Sequence, residues 1–169
     1  MSEPGNSASP NIEPALETLR NVLDELSWEP KRAEGVAGFE VDFGPPYLPV
    51  ANALAAISVQ EQFVFYLNFG FAAAPELRDT CAQFIARANW GLTIGNFEMD
   101  YSDGQLRFKS SVAFTGAELT ETLIKNAIRA AMNAVEVYAD ALAGIVMRGE
   151  TAAAAWAVIQ PSRISSPLP

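Results

Sequence analysis

With 169 residues, of which 50% are apolar and 18% charged, the chain is long enough to bury a core in one domain without a metal or disulfide staple. Twenty acidic side chains against eleven basic ones leave a net charge of −9, the wrong sign for counterion-release binding to nucleic acid or for attraction to anionic lipid. No histidine occurs, which removes the usual serine and cysteine triads, histidine-ligated zinc and the commonest general base.

Residues 1–11 carry the Ser, Pro, Gly and Asn composition of a disordered tail, and residues 160–169, QPSRISSPLP, are similar. Between residues 12 and 27, Ile12, Leu16, Leu19, Leu23 and Leu26 recur at helical spacing, and Trp28 and Pro30 close that helix. GVAGFEVDF then alternates Phe39, Val41 and Phe43 against Glu40 and Asp42, the pattern of a strand broken by GPPYLP. VANALAAIS suits a helix or a strand, whereas FVFYLNFGF is a β-branched and aromatic run expected to form a central strand covered on both faces. The two are read as a hairpin turning at QEQ. After Pro75, Leu77, Cys81, Phe84, Ile85 and Ala88 share one helical face up to Asn89.

NFEMDYSDGQLRFKSSVAF predicts a second hairpin, with Phe97, Met99 and Tyr101 facing one way and Leu106, Phe108, Val112 and Phe114 returning beyond a glycine turn. Ser110 interrupts the returning face, where a bulge is expected. Thr115 and Glu118 have the spacing of a capping box ahead of a long helix running through Leu119, Leu123, Ala127, Val135, Leu142 and Ile145, with Gly149 as its stop. TAAAAWAVI reads as a last short helix that packs Trp156. The order predicts an α+β fold: helix, three strands, helix, two strands, long helix and a C-terminal addition.

Candidate chemistry is sparse. Cys81, a single cysteine in an apolar stripe, reads as a buried small hydrophobe and fits a reducing cytoplasm; no apolar leader or membrane span is visible. Glu98 and Asp100 alternate on one strand face and, with Glu61, are the carboxylates that acid–base chemistry would need; a solvated sheet face is the preferred reading of the pair. Asp100, Ser102 and Gly104 resemble a calcium loop only superficially, because Ser111 stands where a bidentate glutamate is required. GLTIG at 91–95 lacks the spacing and lysine of a phosphate loop. Arg107 and Lys109 lie opposite the acidic arm, so cross-strand pairing accounts for them, and contact with an acidic peptide is the functional alternative. Phe63, Phe65, Phe69, Trp90 and Tyr101 are candidates to line an apolar pocket between sheet and helices. Small residues on the long helix, among them Ala127, Ala131 and Ala134, leave room for the sheet or a second subunit.

The stretch PELRDTCAQFIARANWGLTIGNFEMDYSDGQLRFKSSVAF, with Asn89 at the helix end, GNF opening a strand, a DG hairpin and then a long helix, resembles the YbjN family. The family is described as bacterial sensory transduction regulators and resembles type III secretion chaperones in fold. The resemblance spans residues 12–148 and leaves 149–169 as a C-terminal short helix and tail. It implies a twisted antiparallel sheet packed on helices, a homodimer, and no catalytic residue, cofactor or metal. The expected function is protein binding or regulation through an apolar surface or a sheet edge in the cytoplasm, with a small-ligand sensor as the alternative. Residues expected to touch a partner or ligand are Arg107, Lys109, Phe65, Trp90 and Tyr101; neither nucleic acid nor membrane is an expected partner.

Overall fold

A computed structural model describes residues 11–43 and 49–159. The expected tails at 1–11 and 160–169 lie outside these residues except for Asn11, which stands at the start of α1, and so does most of the break at GPPYLP. Four helices and six strands follow in the order α1 (Ile12–Glu25), β1 (Lys31–Arg32), β2 (Gly38–Asp42), β3 (Val50–Ile57), β4 (Gln62–Ala72), α2 (Arg78–Trp90), β5 (Asn96–Met99), β6 (Gln105–Ala113), α3 (Glu121–Arg148) and α4 (Ala152–Ala157). All strand pairs are antiparallel, and the sheet order is β1-β2-β3-β4-β6-β5. The α+β class expected from the sequence is the one found.

Alternation decides which side of each strand meets the helices. Phe63, Phe65, Leu67 and Phe69 of β4 point inward with Phe39 and Val41 of β2, Ala53 and Ala55 of β3, and Leu106 and Phe108 of β6. Helix α1 covers β3, α3 covers β4 and β6, and α2 covers β5. The stripe Ile12, Leu16, Leu19 and Leu23 of α1 is buried, as its spacing requires. Helix α3 is long and apolar enough to cross a membrane, but it lies among the sheet, α1, α2 and α4, with 56% of its most apolar window buried. Its buried alanines Ala127, Ala131 and Ala134 serve this close packing within the chain. Cys81 is fully buried, and burial pushes its thiol up to about 11.

VANALAAI, which suits a helix or a strand by pattern and is read as the first arm of a hairpin, is that strand: its register with β4 places Ala53, Ala55 and Ile57 in the core. Other local expectations need correction. A sixth strand, β1, has only two exposed residues and so no apolar pattern to reveal it. The long helix starts at Glu121, not at the Thr115–Glu118 box: Gly116 adopts φ +76° and donates to the Glu61 carboxylate, which ends the β6 exit in a turn. Thr120 then caps the helix by accepting from Leu123 N–H at 3.3 Å. Ser110 pairs regularly with Phe65; the register shift lies between Asn68 and Ala72 on the neighbouring strand. Alternation in β5 stops at Met99, because Asp100 turns the chain by accepting from Ser102, so Tyr101 sits in the turn. The short last helix expected at TAAAAWAVI is α4, and it packs Trp156 against Tyr138 and Phe84, each at 6.1 Å between ring centroids, with Arg87 4.6 Å above the indole.

Candidate functional site

The outer face of the sheet carries no described helix. Strand β4 presents Val64 and Tyr66 there, and across the β3–β4 ladder Ala56 and Leu54 stand opposite them. All four are half-buried. Where the run FVFYLNFGF predicts a strand covered on both faces, β4 carries Val64 and Tyr66 between Gln62 and Asn68 on its outer face, and no described helix covers that face. The amide of Asn68 donates to Asn52 Oδ1 at 2.7 Å at one end of this patch.

Charge is arranged on either side of it. On the β6 side, Arg107 and Lys109 both donate to Glu98, Arg107 at 2.7 Å, and the Arg107 guanidinium also lies 4.2 Å from the Tyr66 ring. Burial alone would raise the Glu98 carboxyl, but hydrogen bonds from Lys109, Arg107 and Asn96 outweigh it and hold the group below the usual carboxylate range. Asp100 is held low by the side chain and backbone N–H of Ser102. Neither carboxyl moves toward neutrality, the direction a general acid or base working near pH 7 requires. Asp100 has left the strand, so the two do not share a face. The Glu61 side chain is engaged by Asn11 and by the backbone of Gly116. On the β2 side, Glu40 and Asp42 face outward, and Lys31 donates to Asp42 at 2.8 Å.

Both sheet edges are blunted. The β1 edge is two residues long, basic, and preceded by Pro30. At the β5 edge, Phe97 turns its backbone away from β6, and the Asn89 carboxamide meets both groups: Phe97 N–H donates to Asn89 Oδ1 at 2.8 Å, and Asn89 Nδ2 donates to Phe97 O at 3.0 Å. The side chain occupies the place a seventh strand would take.

The five aromatic candidates for a pocket do not converge. Phe63, Phe65 and Phe69 are core residues. Trp90 is 94% exposed at the C-terminal end of α2, while Tyr101 is 53% exposed and donates to Asp79 at the other end. These two ends are about 18 Å apart along the helix axis. A cavity between sheet and helices does exist elsewhere, about 500 Å³ in volume, and its walls include Trp28, Phe43, Leu67 and Met132. Trp28 registers in the sequence only as a helix stop, and Met132 only as one more residue of a long helix, so spacing could not bring them together. Among the described residues no group of three or more Cys, Asp or Glu side chains is placed to hold a metal ion.

A family model described as "Putative bacterial sensory transduction regulator", YbjN, matches residues 15–144. The chain belongs to the YbjN family. Its fold is similar to the crystal structure of YbjN, a putative transcription regulator from E. coli, with TM-score 0.60 and 14% identity over 79% of this chain and 92% of that one. It is also similar to a chain of the ExsC–ExsE complex, with TM-score 0.52 and 8% identity over 78% of this chain and 95% of that one. A protein from Methanothermobacter thermautotrophicus shares the fold with TM-score 0.51 and 12% identity, over 80% of this chain and 98% of that one. No curated protein sequence matches this chain. At these identities the likeness is one of fold, and the match to the YbjN family indicates no enzyme family.

Proposed function

We propose that this YbjN-family chain is a non-catalytic, cytoplasmic interaction domain that meets another protein through the outer face of its sheet. The observation that supports this is β4: its outer face carries Val64 and Tyr66 opposite Ala56 and Leu54, apolar surface that a second layer ordinarily covers, and no described helix lies over it. Tyr66, held by Arg107 at the centre of the patch, has the amphipathic character of an interface anchor. Within this reading Arg107 and Lys109 are rim residues, whereas Phe65 contributes from beneath as core.

A second copy of the chain suits this face. After Glu98 has met both Arg107 and Lys109, the β6 side keeps one surplus positive charge; after Lys31 has met Asp42, Glu40 leaves the β2 side one surplus negative charge. A twofold axis through the apolar centre sets each side over its opposite. Light scattering after size-exclusion chromatography tests this, with the wild-type chain expected at twice the mass of a Tyr66→Glu variant. A wild-type chain that stays at 18.2 kDa over a wide concentration range would remove the homodimer. Affinity capture with the same pair then tests other partners: proteins retained equally by the wild-type chain and by Tyr66→Glu do not use this face.

A further inference from the structure

We propose that the cavity at Trp28 binds an apolar organic cation, with an alkyl- or arylammonium head at Trp28, Phe43 and Glu29 and its tail toward Leu67 and Met132. The cavity lies on the helix side of the sheet, so this inference goes beyond the outer-face reading and does not depend on it. Its volume, about 500 Å³, suits a small molecule. The inner wall is built from Val41, Val50 and Leu67, which are 3%, 6% and 0% exposed, and from the adaptable thioether of Met132. That wall offers a tail contact and no charge.

The mouth differs. Trp28 and Phe43 meet with ring centroids 5.1 Å apart at 85°. Behind Trp28, Phe65 stacks at 6.1 Å and 18°, which fixes the indole plane. Two rings set at a right angle form the corner in which an ammonium group meets ring quadrupoles, and Trp is the strongest partner for that contact. Beside the corner, Glu29 is exposed and holds no ion pair among the described residues. Asp42 also borders the cavity, but its carboxylate is taken by Lys31. That lysine, whose ammonium pKa is raised by the Asp42 hydrogen bond and also by Glu29 nearby, is the local competitor for the site. An anionic head would meet repulsion from Glu29, and a neutral one would gain nothing from it.

Isothermal calorimetry on the full chain with octyltrimethylammonium, 1-octanol and octanoate tests the proposal. The cation is expected to bind saturably at one per chain and about tenfold more tightly than octanoate. The Glu29→Gln variant should weaken the cation about threefold and Lys31→Gln should tighten it by a similar factor, with 1-octanol indifferent to both. Both side chains lie at the surface, so neither variant puts folding at risk. Absence of saturable heat with the cation, octanoate binding as tightly as the cation, or cation affinity unmoved by both charge variants would each overturn it.

Discussion

At Glu98, burial and pairing pull the carboxyl in opposite directions, and pairing with Lys109, Arg107 and Asn96 wins. A carboxyl whose folded pKa is depressed stabilises the fold above its unfolded value, and that contribution is lost as pH falls through the folded value. Glu98→Gln should therefore cost about 1 kcal/mol at pH 7, and the difference from wild type should fade below about pH 4.5, which denaturant melts along a pH series would show. Gly104 carries a different kind of constraint. With φ at +82°, a Cβ there would lie 2.0 Å from the Ala73 carbonyl oxygen, a contact that only backbone movement relieves. Gly104→Ala should destabilise by more than about 2 kcal/mol, measured by thermal or chemical unfolding. The DG turn was legible because glycine is the residue that tolerates such an angle. The role of Asp100 was not, because alternation over NFEMDY continues in letters after the strand has ended in space.

Among the elements, α3 shows where a motif is ambiguous. Both Thr115 and Thr120 stand before apolar helical spacing, but Gly116 lets the chain turn, and Thr115 spends its hydroxyl on the Gln60 carbonyl at 3.0 Å. Thr120→Ala should cost about 1 kcal/mol as a lost cap, whereas Thr115→Ala should leave the helix start intact; helical content and stability of the two variants distinguish them. Strands with one clear apolar face, β2 and β6, were readable from period-two alternation, and α1 and α2 from their stripes. Strand β1 was invisible because its two residues, Lys31 and Arg32, bury nothing. The cavity was misplaced for a related reason. Alternation says that Phe63, Phe65 and Phe69 share a side, but not what fills the space above them; here α3 packs on β4, Trp28 stacks on Phe65, and Phe97 stacks on Phe69.

For the whole molecule, α4 adds to the core as well as extending the chain. Trp156 bridges Tyr138 of α3 and Phe84 of α2, under Arg87, so Trp156→Ala should cost about 2 kcal/mol and lower the melting temperature, even though the residue lies beyond the 15–144 span of the family match. On the outer sheet face, half-buried Leu54, Val64 and Tyr66 lie under no described helix. How that face can stay open without risk follows from the far end of the same sheet. The Asn89 carboxamide acts as a chain stopper there: it gives Phe97 the donor and acceptor that an incoming peptide would offer, and it cannot pass the pattern on. Removing it with Asn89→Ala should leave a sticky rim, and warmed samples of that variant should form thioflavin-positive fibrils at temperatures where wild type remains clear.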